Sequence, residues 1–314
     1  MSDFSKTPFV RELASSDKKI RDKATESLAL FLRSRTDLSL LELLKLWKGL
    51  FFCFYHSDRP LTQQALARNL SYGLIPTLPR ATLLKFLQAF WITIGREWHS
   101  LDRLRLDKYL LLIRSYVGVS FQILLKGNTP TKPTTKKRKI NESAKSKKRS
   151  KSSKRAQVES PASDSELEET SSTTNSDTWS DLQSYMNLLS SGPLSPITFD
   201  PSQPALDEKN SIIPMPLGPD GLRYHLLDIW FDELEKALEI DSETGKPVGE
   251  VPIEILLAPV EKLRKEGLHK PVRVRAAETL DDERLVEWGF RKAKKVEESE
   301  EEESDEEWGG FGDD

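Results

Sequence analysis

Eight charged side chains crowd the stretch REWHSLDRLRLDKYLLLIRS, where Arg96, Arg103, Arg105, Lys108 and Arg114 are interspersed with Glu97, Asp102 and Asp107 among leucines. Three kinds of chemistry fit such a stretch. Glu97 and Asp102 have the residue types of a general acid and base, the cations can hold phosphates, and opposite charges at helical spacing simply pair. The dense cations around both carboxylates favour ion pairing over acid–base work, and Arg103 and Asp107, at i and i+4, are expected to pair. Arg96, Arg103, Arg105, Lys108 and Arg114 stand as candidate contacts to the phosphates of a polyanion such as RNA, because positioning contacts to phosphate need only clustered donors.

Little else in the sequence suggests catalysis. His56, His99, His225 and His269 are scattered, with neither metal-ligand spacing nor a cysteine partner. The single cysteine, Cys53 in LFFCFYHS, has no partner for an intrachain disulfide, which fits a reducing compartment and a role as core filler. No phosphate-cradling glycine loop and no nucleophile elbow occurs. The expectation is a protein that is not an enzyme, without metal, cofactor or small-molecule substrate. No uncharged apolar run reaches about 18 residues, and MSDFSKTPFVREL lacks the regions of a secretory signal, so a soluble intracellular chain without membrane contact is expected.

The net charge of −3 conceals strong segregation. Residues 1–127 carry +9, residues 128–155 carry +11, and residues 156–314 carry −23. Such asymmetry points to a polyanion partner for one part and basic partners for another. Two clusters, KKRK (Lys136, Lys137, Arg138, Lys139) and KSKKRSK (including Lys145, Lys147, Lys148 and Arg149), have the form of a bipartite nuclear-import signal. The same charges would bind nucleic-acid phosphates without reading sequence. Ser163, Ser165, Ser299 and Ser304 each precede an acidic residue by three positions, as acidophilic-kinase sites do.

The elements that must position these groups are helical. Thr7-Pro8 can start a short helix; Ser16 or Asp17 can cap a second running to about Arg35, with Ile20, Ala24, Leu28 and Phe31 on one stripe. Leu40, Leu43, Leu44, Trp47, Leu50, Phe51 and Phe54 mark a third with a wide buried face. Pro60 opens a helix toward Tyr72, RATLLKFLQAFWITIGREW makes the next, and the charged stretch continues as a long helix from an N-cap at Ser100 to about Lys126. That last helix should turn Leu104, Leu111 and Ile113 toward its neighbours and leave Arg103 and Arg114 exposed. Trp47 and Trp91 are expected core anchors. Short turns between six helices favour antiparallel neighbours, as in a bundle or an α-solenoid, and predict an all-α fold, an α-solenoid or HEAT-like array over residues 5–127.

Residues 128–212 read as a disordered linker, basic and then acidic, because so few apolar residues cannot offset a chain entropy of about 1–2 kcal/mol per residue. One island in it, Trp179, Leu182, Met186 and Leu189, has helical spacing: either a short helix formed against a partner or a chance cluster. Order resumes over residues 213–293. Leu222, Leu226, Ile229, Trp230, Leu234 and Leu238 form a stripe that the N-terminal array would cover. VPIEILLAPVEKLRKEG supplies a helix broken near Pro259, and LDDERLVEWGF a last short one. Residues 294–314 read as a disordered acidic tail.

The segments LLKLWKGLFFCFYHSDRPLTQQALA, LLKFLQAFWITIGREWHSLDRLRLDKYLLLIRS and GPDGLRYHLLDIWFDELEKA together resemble the ribosomal RNA-processing protein 1 family of nucleolar factors. The resemblance covers roughly residues 5–127 and 214–290 and leaves the charged middle as an insertion. It implies an all-helical fold and a non-catalytic assembly factor of the large ribosomal subunit in the nucleus and nucleolus. Its implied partners are pre-ribosomal RNA, large-subunit assembly factors and ribosomal proteins. A protein-only nuclear α-solenoid adaptor, without direct RNA contact, is the alternative reading.

Overall fold

The first helix starts follow capping chemistry. Asp17 opens α1 (Lys18–Ser34), its carboxylate accepting from the Lys19 N–H at 2.8 Å. Ser39 opens α2 (Leu40–Tyr55) with a capping box: its hydroxyl accepts from the Glu42 N–H while the Glu42 carboxylate accepts from the Ser39 N–H. Pro60 takes the first position of α3 (Pro60–Arg68), whose missing donor costs nothing there. A π-helical turn at Asn69–Gly73 and a 3-10 turn at Ile75–Thr77 lead into α4 (Arg80–Glu97) and then the core helix α5 (Arg103–Lys126). The computed structural model describes residues 12–13, 15, 17–126, 178–200 and 216–292. Its later helices are α6 (Ser180–Ser191), α7 (Asp220–Ala237), α8 (Ile253–Glu266), α9 (Lys270–Leu280) and the short α10 (Arg284–Glu287). The fold is all-α; among the described residues the only β pairing is an isolated bridge between Ile240 and Pro247.

The helices pack in two layers by alternation. Helix α2 lies on α4, α4 on α6 and α6 on α8; in the other layer α3 lies on α5, α5 on α7 and α7 on α9. Contacts of α2 with α3, α5 with α6 and α8 with α9 join the layers. This is the stacked-pair arrangement of an α-solenoid, built here from two stretches separated by a long insertion. Helix α5 is long and apolar enough by composition to cross a bilayer, yet two-thirds of its apolar window is buried among its neighbours.

Aromatic side chains fill the space between layers. Trp47, 1% exposed, meets Phe86, Phe90 and Tyr116 at ring distances of 5.1, 4.9 and 5.4 Å, and its indole N–H donates to the Phe86 carbonyl. Trp91 is buried as well and donates to the Tyr185 hydroxyl at 3.3 Å, tying α4 to α6. Phe121 of α5 meets Trp230 of α7 edge-on at 5.2 Å. The expected α7 stripe faces inward, with Leu238 at its end half-covered.

Several local expectations are corrected. Residues 178–200, assigned to the linker, hold α6, with Leu182, Tyr185, Met186 and Leu189 fully buried against α4 and α8. The apolar island finds its cover within the chain itself. Pro259 does not break α8, because Leu256, Leu257, Val260 and Leu263 on both sides of it seat the same face in the core. The cap of α5 is not Ser100: the Asp102 carboxylate accepts from the Arg105 N–H at 2.9 Å, and Leu104, ahead of the covered face, is 92% exposed. Leu111 also points outward, whereas Ile113 is buried. In α1 it is Arg21, Ala24, Leu28 and Leu32 that face inward, leaving Ile20 exposed and Phe31 half-buried. The helix proposed from Thr7-Pro8 falls mostly outside the described residues.

Candidate nucleic-acid interface

Three of the five candidate phosphate contacts are committed to internal chemistry. Lys108 is buried, and its ammonium donates to the carbonyls of Tyr55 and Ser57 at 2.7 and 3.1 Å and to Asp58 at 3.3 Å. It closes the C-terminal end of α2, where exposed carbonyls favour a cation. Burial pulls its pKa down, with the hydrogen bond to Asp58 working the other way. Arg105 pairs with Asp102 and lies over the Tyr55 ring, 4.3 Å from its centroid. That hydrogen bond from Arg105 holds the Asp102 carboxyl below the ordinary aspartate range.

Arg114 is also committed, contrary to its expected exposure. It crosses from α5 to α7, donating to Glu233 at 2.6 Å and pairing with Asp232. Glu233 is 3% exposed and takes a second cation, Lys236, while Asp232 is shared with Arg284 of α10. This network joins α5, α7 and α10. Gly118 makes room for it: a Cβ there would stand 2.5 Å from a Glu233 carboxylate oxygen and 2.6 Å from the Tyr72 hydroxyl.

The carboxylates weighed for acid–base work are engaged separately. Glu97 pairs with Lys48, and Asp102 with Arg105 and the Tyr55 hydroxyl. His225 is held by the Leu110 carbonyl at 3.0 Å, and burial pushes its pKa down. His269 bonds Asp220, and His56 packs against Phe52 and Tyr55. Among the described residues no three His, Cys, Asp or Glu side chains are grouped to hold a metal ion. Burial pushes the Cys53 thiol up to about 11, which keeps it protonated and unreactive in the folded chain.

Arg96 and Arg103 remain exposed, and so does Asp107, the residue expected to pair with Arg103. Arg96 sits on the rim of a groove of about 690 Å³, lined also by Trp98, His99, Phe199, Arg223 and His269. The groove opens where the end of α4, the segment after α6 and the start of α7 meet. Of these residues the sequence pattern singled out only Arg96 as a phosphate contact. Trp98, Phe199 and the others come together through tertiary packing that no local spacing announces. Lys136, Lys137, Arg138, Lys139, Lys145, Lys147, Lys148, Arg149, Ser163, Ser165, Ser299 and Ser304 lie outside the described residues.

The nucleolar protein family Nop52 matches residues 5–151 and 206–311, which together make up most of the chain. The chain belongs to that family. Helix α6 lies in the gap between the two Nop52 segments, although in the fold it joins the layers that those segments build. Similar chains include Ribosomal RNA processing protein 1 homolog B of Homo sapiens, 43% identical over 121 residues, or 37% of this chain and 16% of that one. Homolog A of Homo sapiens is 39% identical over 119 residues, covering 36% of this chain and 26% of that one. The Dictyostelium discoideum homolog is 37% identical over 108 residues, 33% of this chain and 22% of that one. The match spans about a quarter or less of each of these relatives.

Proposed function

We propose that this Nop52-family chain is a non-catalytic assembly factor of the large ribosomal subunit, acting in the nucleolus by holding precursor ribosomal RNA and protein partners on its helical array. The observation that carries this reading is the family match over both separated segments, whose described helices stack with α6 into one two-layer body. The similar chains are named for ribosomal RNA processing, which supports the same assignment. A stacked helical array suits scaffolding, and the catalytic candidates Glu97 and Asp102 serve in separate ion pairs. The charge segregation fits it too: a basic segment for RNA and an acidic one for basic ribosomal proteins.

The test is affinity purification of the tagged chain from nuclear extract, with crosslinked RNA sequenced and proteins identified. Reproducible crosslinks on large-subunit precursor RNA together with large-subunit assembly proteins are expected. Failure to enrich either would overturn the proposal. A second reading, a nuclear protein-only adaptor, draws support from the internal engagement of Arg105, Lys108 and Arg114. It predicts the same proteins recovered without reproducible RNA sites.

A further inference from the structure

The groove beside Arg96 is built on a backbone tied by several hydrogen bonds. Arg223, 3% exposed, donates to the carbonyls of Ser195 and Ile197 at 2.6 and 2.9 Å and to Asp220 at 2.6 Å. The Leu217 N–H donates to the Thr198 carbonyl at 2.9 Å, and the Leu268 N–H to the Pro196 carbonyl at 3.3 Å. Two glycines allow the crossing: a Cβ on Gly95 would press the Leu217 carbonyl at 3.0 Å, and one on Gly218 would collide with the Pro193 backbone. The segment that carries Phe199 is therefore fixed from three sides. Phe199 itself is 50% exposed.

An aromatic ring left half in water on a fixed backbone has not been spent on the core. Trp98 lines the same groove, its indole lying against Gly221, where a Cβ would come within 3.2 Å of two ring atoms. Arg96 and His99 stand exposed on the rim, and Arg96 makes no ion pair among the described residues. Among the described residues lining this groove the one carboxylate, Asp220, is held by Arg223 and His269. Aromatic side chains beside an exposed guanidinium are the combination that holds single-stranded nucleic acid: bases stack on the rings while the cation meets the backbone phosphate. A duplex keeps its base faces stacked internally and offers only edges and phosphates, so it cannot use Phe199.

We propose that this groove binds an unpaired nucleotide of RNA, the base against Phe199 and the adjoining phosphate at Arg96. The inference rests on the RNA-contact reading above and gives that contact a place on the array.

The test measures binding of a short unstructured oligoribonucleotide and of an RNA hairpin stem to the full chain by fluorescence anisotropy. Because the basic clusters at 136–149 would bind phosphates on their own account, each chain is also made with those lysines and arginines replaced by glutamine. On that background Phe199→Ala should weaken single-strand binding roughly tenfold with an unchanged salt slope, the range expected for loss of one stacked base. Arg96→Gln should weaken it too and lower the salt slope by about one, the signature of a lost phosphate contact. The stem should bind weakly to all of them. Both side chains are exposed, so melting temperatures should not change, which excludes unfolding as the cause.

Parental affinity in both variants would overturn the inference, as would loss of all binding once the basic clusters are neutralised. The proposed function would survive either result as long as the purified chain still carries large-subunit precursors. If the variants keep RNA affinity but lose an assembly protein from the purification, the groove is a protein site and the inference fails.

Discussion

Met186→Ala tests whether α6 belongs to the array or merely passes it. The side chain is fully buried in the layer formed by α4, α6 and α8. Removing Cγ, Sδ and Cε forfeits about 0.8 kcal/mol of burial for each carbon-sized group, or roughly 2.5 kcal/mol. The cavity left behind adds to this, so a loss of about 3 kcal/mol is expected, inside the range of about 2–5 measured for such truncations. Asn187→Ala, one residue along on the exposed face, should stay within about 0.5 kcal/mol. Urea unfolding followed by helical circular dichroism reads the difference. With a slope of roughly 3 kcal/mol per molar, Met186→Ala should lower the midpoint by about 1 M while Asn187→Ala leaves it in place. Leu182→Ala and Leu189→Ala, equally buried, should behave like Met186→Ala. A helix that only docks on some other protein would show no shift in the isolated chain. Coincident midpoints for Met186→Ala and the parent would refute the packing argument.

Arg114→Met should lower stability by about 1–3 kcal/mol in thermal unfolding, because it leaves the buried Glu233 with only Lys236; the half-exposed position of Arg114 keeps the loss below that of a fully buried pair. Adding Glu233→Gln to that variant should recover part of the loss, and a double-mutant cycle that gives no coupling would sink the idea. Gly118→Ala should cost about 1–3 kcal/mol by overpacking against Glu233 and Tyr72, and Tyr72→Phe in the same chain should relieve some of it, read as a higher melting temperature than Gly118→Ala alone. Acid unfolding should report Asp232: burial works against its ionisation, but hydrogen bonds from Arg284 and Arg114 hold its pKa below the ordinary value. A depressed carboxylate contributes stability that is complete above the unfolded aspartate pKa of about 3.9 and is lost as the pH falls through the folded value. Asp232→Asn should therefore be less stable at neutral pH yet lose less between about pH 4 and pH 2, and parallel curves for the two chains would contradict this.

The parts of the fold legible in the sequence are those where the apolar period of a helix is strong and its ends carry their own chemistry. Ser39 with Glu42, and Pro60, mark their helix starts by type alone, and the α2 and α7 stripes face where their spacing puts them. Helix α6 has an equally good spacing, but it is a short island between long polar runs, and composition averaged over such a window hides it. Helix α9 is not legible because its inward positions Val272, Ala276 and Thr279, ahead of the terminal Leu280, carry little apolar bulk and are interleaved with arginines. The charged stretch that runs from the end of α4 into α5 shows the opposite failure. Its cations look like a single surface in sequence, but Lys108 reaches under α2, Arg114 reaches to α7, and Arg105 folds over Tyr55, leaving Arg96 and Arg103 outside. Which member of a cluster is exposed depends on helices far away in the chain, and that is the information spacing lacks.

The alternating layers also dictate what the insertion must do. The chain leaves the array at the end of α5 and has to return with α6 seated between α4 and α8, since the layer α2, α4, α6, α8 would otherwise lack a member. Nothing in that requirement fixes the length of chain between Lys126 and Trp179. Loop-closure entropy grows only with the logarithm of length, about 0.6 kcal/mol per doubling, so a long charged segment there costs the array little more than a short one. Replacing residues 130–175 by a flexible linker of about 20 Gly and Ser residues should change stability by no more than about 1 kcal/mol, in the favourable direction. Carrying the replacement on through residue 195 removes Tyr185, Met186 and Leu189 from the core and the partner of the Trp91 indole. That chain should lose its cooperative transition. Equal melting of the two replaced chains would mean that α6 is not a member of the layer, and the two-segment array would have to close directly between α4 and α8.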